Sequence, residues 1–265
     1  MPGHRPHPLN PRRFLTRDLL ALDSLFHRAH LVTEVDCTAL ETFRTAHISD
    51  EPTQPTVDMC ALYALAQVLA RPEHAVFNGH ERRYPRPRFV TYDDVDLCFF
   101  VERYRGGERH VFLRLLPNAQ AMSFEDLAAA VRHWHTVEDF RHWPRRAAPL
   151  RLVPGPARRA LFRLYYASSP GGKQRMTGTC TYLSTPDSPA AGTLIPYAPG
   201  ITTVSLGAVA DRPVVRDGQV VAARTAHLTL TYDRGVADDT QAARLIEDLR
   251  KFLENLKRAP DGGRT

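Results

Sequence analysis

The chain has 265 residues, 43% of them hydrophobic, enough for one large domain with a sizeable core. It holds no apolar run of the roughly 20 residues that a transmembrane helix needs, and its opening Met1-Pro2-Gly3-His4-Arg5 lacks the apolar core of a secretory signal, so a cytoplasmic protein with no membrane partner is expected. The net charge of +6 is almost all arginine, with Lys173, Lys251 and Lys257 as the only lysines; acidic residues are interspersed nearly throughout, which argues against a nucleic-acid partner and suits a basic mouth for a phosphorylated cofactor.

Taken in chain order, residues 1–12, rich in Pro, Arg and His, read as a flexible leader. Residues 13–29 carry apolar side chains at near-helical spacing, and a short strand follows over 31–35. Asp36 or Thr38 then caps a helix running to residue 44. Residues 48–56 are polar with two prolines and predict a loop, and 57–69 form a strongly apolar helix stopped by Arg71-Pro72. Strands are predicted over 89–92, 95–101 and 110–116, the last two joined by the turn Arg105-Gly106-Gly107-Glu108. Ser123, with Asp126 three residues on, caps a helix to about residue 135.

The proline-broken stretch 136–176 holds one further helix over 157–166. Strands follow over 177–183 and 202–209. Val214-Val215 and Val220-Val221 flank the hairpin turn Arg216-Asp217-Gly218-Gln219. A strand over 226–232 alternates cleanly, and 240–256 is an amphipathic helix. Cys37, Cys60, Cys98 and Cys180 are widely spread with no Cys-x-x-Cys pair, which predicts buried thiols rather than a zinc site or a disulfide framework.

Several blocks stand out. Glu34-Val35-Asp36-Cys37-Thr38-Ala39-Leu40 is a strand-to-helix entry. The apolar stretch 59–78 ends in Arg71-Pro72-Glu73-His74-Ala75-Val76-Phe77-Asn78, and Asp94-Val95-Asp96-Leu97 leads through a strand pair to Asn118-Ala119. Gly178-Thr179-Cys180-Thr181 opens a strand, and 195–209 runs from a proline-containing loop into another. The chain closes on Leu228-Thr229-Leu230-Thr231-Tyr232-Asp233-Arg234-Gly235-Val236-Ala237-Asp238-Asp239, then Thr240-Gln241-Ala242-Ala243-Arg244. The order and spacing of these blocks, over residues 13–257, resemble the catalytic domain of the dihydrolipoyl acyltransferases of 2-oxoacid dehydrogenase complexes, which shares its fold with chloramphenicol acetyltransferase.

The resemblance implies an α+β, coenzyme A-dependent acyltransferase (chloramphenicol acetyltransferase-like) fold, a mixed sheet flanked by helices, with residues 258–265 as a flexible tail. It implies a homotrimer whose active sites lie between subunits, and coenzyme A or an acyl-carrier thioester as co-substrate with no tightly bound cofactor and no metal. The lipoyl and subunit-binding domains of the full-length enzymes have no room in this chain, so a free-standing catalytic domain is expected.

The closing block departs from the family line Asp-His-Arg-Val-x-Asp-Gly. Arg234 stands at the histidine, and a guanidinium stays protonated and only donates, so it cannot take up a proton as the general base. The family's oxyanion-stabilising hydroxyl falls on Leu183 in an ungapped match. Ser184 lies one residue on and Thr181 one strand repeat back, and both are candidates for that role. Asp238 matches the family's loop-holding aspartate and is equally a helix cap.

Cys180 and Tyr182 on the same strand, and His227 in the strand before Arg234, are the expected substrate-binding side chains, although Cys180 and His227 also read as packed residues. His133, His135 and His142 beside Trp134 and Trp143 form a second candidate pocket. The function expected is acyl transfer from a thioester to a small hydroxyl or enol in secondary metabolism. The alternatives are cyclisation or elimination of a polyketide-like substrate, or a non-catalytic trimeric scaffold.

Overall fold

The structure, a computed structural model, describes residues 17–256 apart from 19, 23–25, 48–52, 83–84, 106–107, 137–147, 169–176, 185–191 and 199. The expected leader and tail, and His142 and Trp143 of the second candidate pocket, lie outside the described residues.

Nine strands and five α-helices are described: β1 (Arg28–Asp36), α1 (Thr38–His47), α2 (Thr53–Leu69), β2 (Gly79–Arg82), β3 (Arg88–Thr91), β4 (Leu97–Arg105), β5 (Glu108–Leu116), α3 (Phe124–Thr136), α4 (Gly155–Ser168), β6 (Cys180–Ser184), β7 (Thr202–Leu206), β8 (Ala210–Arg216), β9 (Gln219–Asp233) and α5 (Asp239–Glu254). Seven strands make one mixed sheet in the order β1-β9-β7-β6-β4-β5, with β8 alongside the first half of β9. The β4–β6 and β6–β7 pairs are parallel and the others antiparallel. β2 and β3 form a separate hairpin.

The period of two along each strand gives the sheet two distinct faces. Leu97, Phe99, Cys180, Tyr182, Val204, Leu206, Leu228, Leu230 and Tyr232 share one apolar cluster with α1, α2, α3 and α5. Buried on every side, α2 needs no polar face, and its Leu62, Leu65 and Leu69 are essentially inaccessible. The alternate positions, Thr181, Thr203, Ser205, Thr229, Thr231 and Asp233, are buried as well but polar, and they make the second face. Among the described residues no helix is long and apolar enough to cross a membrane.

The α+β class and the mixed sheet flanked by helices are as expected, and several boundaries move. The loop predicted over 48–56 gives way to helix at Thr53, because Pro55 sits in the first turn of α2, where a missing N–H costs no hydrogen bond. The helical spacing of 13–29 yields to strand by Arg28, since positions 28–36 pair with 225–233 of β9. β2 went unpredicted. The apolar segments over 220–221 and 226–232 prove to be one strand of 15 residues, whose plain middle is held by pairing to β8.

Candidate active site at the end of the sheet

The last residues of β9 form a tight, hydrogen-bonded turn. The Asp233 side chain is 2% exposed; its Oδ1 accepts from the backbone N–H groups of His27 at 3.0 Å and Gly235 at 2.9 Å. Its carbonyl accepts from Val236 and Ala237 at 3.0 and 3.1 Å, and the Arg234 N–H donates to the His27 carbonyl at 2.8 Å. Asp238 then caps α5, accepting from the Gln241 N–H at 2.7 Å while the Gln241 side chain accepts from the Asp238 N–H at 3.0 Å.

Backbone bonding thus holds Arg234 at the rim, and its side chain is 60% exposed. Its guanidinium donates to Asp239 Oδ2 at 3.0 Å, so the ion pair of this turn is with Asp239 rather than Asp238. Asp239 also accepts from the Tyr232 hydroxyl, and burial together with that bond pushes the Tyr232 phenol up to about 12. Such a rim can bind and stabilise an anion, and its guanidinium cannot act as a base.

The other side chains singled out by sequence lie elsewhere. Ser184 and Tyr182 point to the helix face, where both hydroxyls donate to Asp58 at 2.9 Å. Burial and then Asp58 push the Tyr182 phenol well above its ordinary value and Cys60 up to about 12, which keeps both neutral. Cys180 is buried in the same core. The register sets Ser184 level with Leu206 and Leu228, six residues short of Arg234 along β9. At about 3.3 Å per residue that is about 20 Å along the sheet. Within one chain, Ser184 and Arg234 do not meet.

Thr181 lies on the polar face, in a row that runs Cys98, Thr181, Thr203, Thr231, His30 across the sheet. His30 Nδ1 meets Thr231 Oγ1 at 2.8 Å, whereas the buried hydroxyls of Thr203 and Thr229 have no hydrogen-bond partner among the described residues. His227 is also here, its Nδ1 2.6 Å from Thr193 Oγ1; with the Ser205 hydroxyl on the Leu194 carbonyl at 2.7 Å, it ties residues 192–198 across this face. Its described role is therefore anchoring.

At the Arg234 end, Phe77 contacts Tyr232 and its carbonyl accepts from Thr202 Oγ1 at 2.7 Å, which anchors the segment leading into the β2–β3 hairpin to the sheet. Arg82, Pro85, Arg86 and Arg88 on this hairpin line a cleft of about 140 Å³. In the second candidate pocket, Arg114 stacks over Trp134 at 4.5 Å, so the indole face is occupied by a guanidinium. Glu73, His74 and Asp248 are the described group with metal-ligand potential, but Asp248 already holds His74 Nε2 at 2.8 Å and Arg71 at 3.4 Å, an ion-pair arrangement.

Sequence reasoning missed His27. Its imidazole, 80% exposed, lies beside Arg234 with Nδ1 3.8 Å from the Asp233 carboxylate. No local pattern marks it, because the β1–β9 pairing alone brings it there.

Residues 179–259 match the family model of the 2-oxoacid dehydrogenases acyltransferase catalytic domain. Among solved structures, the chain is similar to a probable dihydrolipoamide acetyltransferase from Listeria monocytogenes, at 17% identity over 97% of both chains with a TM-score of 0.69. It is similar to the dihydrolipoamide acetyltransferase of Azotobacter vinelandii, at 19% identity over 96% of this chain and 92% of that one, TM-score 0.68. It is also similar to a truncated catalytic core of the 2-oxoacid dehydrogenase multienzyme complex from Thermoplasma acidophilum, at 14% identity over 96% and 99%, TM-score 0.62. No curated protein matches the chain in sequence. The fold is that of the coenzyme A-dependent acyltransferases, and the family resemblance read from the sequence holds over its C-terminal part.

Proposed function

We propose that the protein is an acyltransferase that moves an acyl group from a thioester, of coenzyme A or of an acyl carrier protein, to a small hydroxyl or enol acceptor of secondary metabolism. The observation that carries this reading is the match of residues 179–259, which contain β6 to β9 and the turn into α5, to an acyltransferase catalytic domain. In the Azotobacter protein a serine, a histidine and, four residues later, an asparagine have roles in the catalytic mechanism; the motif match read from this sequence sets Leu183, Arg234 and Asp238 against such positions. The chemistry is accordingly rewritten around a cation, with Arg234 stabilising an enolate acceptor or the tetrahedral oxyanion.

Two further features support the reading. The arginine-lined cleft at the turn end of the β2–β3 hairpin offers guanidinium forks suited to the phosphates of a coenzyme A or phosphopantetheine donor. The separation of about 20 Å between the end of β6 and Arg234 suits a site shared between copies, in the homotrimer that the resemblance implies.

Calorimetry with coenzyme A and acetyl-coenzyme A tests the proposal. Binding of both, weakened at least tenfold in Arg86→Ala/Arg88→Ala, is expected; no binding of either, nor of acetyl-phosphopantetheine, overturns it. A second reading, a non-catalytic scaffold, draws on the engagement of Arg234 by Asp239 and of Ser184 by Asp58. It prevails if Arg234→Ala changes neither binding nor turnover. Cyclisation or elimination of a polyketide-like substrate prevails if Arg234 matters and no thioester is consumed.

A further inference from the structure

We infer that His27 is the general base of this site, the imidazole having moved across from β9 to the neighbouring strand; the inference rests on the acyl-transfer reading above. β1 and β9 are antiparallel, and their last ladder pair is Arg28 with Asp233. One step further, the Arg234 N–H donates to the His27 carbonyl at 2.8 Å, so residues 27 and 234 are cross-strand neighbours. Directly opposed residues of an antiparallel pair have Cβ atoms about 5 Å apart on one face. An imidazole is thereby supplied within a side chain's reach of the position at which the family motif holds its histidine and this chain holds an arginine.

The surroundings of the ring suit a base. Its Nδ1 is 3.8 Å from the carboxylate of the buried Asp233, which is fixed by the N–H groups of His27 and Gly235. A Cβ added at Gly235 would fall 3.4 Å from His27 Nδ1 and 3.2 Å from Asp233 Oδ1, so glycine lets the turn lie flat beneath the ring. Nδ1 is the ring nitrogen that faces the carboxylate, so the tautomer that carries its proton there leaves the Nε2 lone pair for an acceptor. Asp233 then lies close enough to compensate an imidazolium, and Arg234, paired with Asp239, is the neighbouring cation at the rim.

Nε2 takes the acceptor's O–H proton as the acceptor oxygen bonds to the thioester carbonyl carbon. The resulting oxyanion lies toward Arg234. Collapse breaks the C–S bond, and Nε2 returns the proton to the leaving thiolate.

The test follows thiol release from acetyl-coenzyme A with an enolisable 1,3-diketone as the probe acceptor, in the wild type, His27→Gln, and His27→Gln/Arg234→His. The exposed His27 side chain leaves the fold intact when replaced, which thermal melting checks. Loss of turnover by at least a hundredfold in His27→Gln is expected, with partial recovery when a histidine is restored at position 234. Wild-type turnover in His27→Gln overturns the inference and leaves acyl transfer standing. Nitrogen-15 spectra of the histidines supply a readout independent of turnover: the neutral His27 ring is expected protonated on Nδ1, and a ring protonated on Nε2 overturns the assignment. Absence of thioester turnover in the wild type overturns acyl transfer itself, and the base with it.

Discussion

At the scale of single residues, the turn between β9 and α5 divides its work between backbone and side chains. Asp233 and Asp238 spend their carboxylates on N–H groups, whereas Arg234 and His27 are left at the rim. The capping box makes Asp238 a structural residue in this chain, and Asp238→Ala should cost about 1 kcal/mol. For a chain of this size that lowers the melting temperature by roughly 2–4 °C. A melt of the variant checks it, and an unchanged midpoint would show the cap to be dispensable. The exposed Arg234–Asp239 pair contributes little by comparison, about 0–1 kcal/mol, so any large effect of Arg234→Ala on turnover is chemical in origin.

Among elements, β6 shows how one backbone constraint sets several side chains. Gly178 has φ of 68°, and an added Cβ would lie 2.4 Å from the Asp96 carbonyl oxygen. That carbonyl accepts from Thr179 and Cys180 and starts the β4–β6 pairing. Gly178→Ala should therefore cost roughly 2–4 kcal/mol, the sum of a left-handed backbone and a backbone clash. Urea unfolding measures it; a loss under 1 kcal/mol would mean that the strand entry relaxes freely.

The helix α5 carries the clearest pH dependence. Arg250 donates to both Glu247 oxygens at 2.8 and 2.9 Å and to Glu254 at 2.7 Å. The first of these interactions holds the Glu247 carboxyl at about 2, below its ordinary 4.5. Because the folded value lies below the unfolded one, this stabilisation is complete above about pH 4.5 and fades as pH falls toward 2. Arg250→Gln should destabilise the protein at pH 7, and its deficit against the wild type should shrink between pH 4.5 and 2.5. Urea midpoints at the three pH values read this directly, and a deficit that stays constant with pH would exclude Glu247 as its source.

For the whole molecule, the sheet face opposite the core is the unusual feature. It buries threonine and serine side chains, and the hydroxyls of Thr203 and Thr229 find no partner among the described residues. Buried hydroxyls are costly when unbonded. The proposed trimer predicts a solution mass near three times the 29.8 kDa of one chain. Light scattering after size exclusion tests it, and a monomer would leave Arg234 without a second copy to complete the site.

Much of this architecture was legible before any coordinates. Periodicity located α2, α3, α5 and most strands, since alternation of two and spacing of 3.6 are local properties. Residue identity alone made it certain that position 234 could not be a base. Faces and neighbours are another matter. A single residue of offset turned Ser184 to Asp58 on the helix face rather than to the polar face, and only the β1–β9 register, formed between opposite ends of the chain, set His27 beside Arg234. Sequence by itself thus determined which elements form and which chemistry position 234 forbids. Tertiary pairing decided which imidazole stands beside it, because hydrogen-bond register is a long-range property that no local pattern encodes.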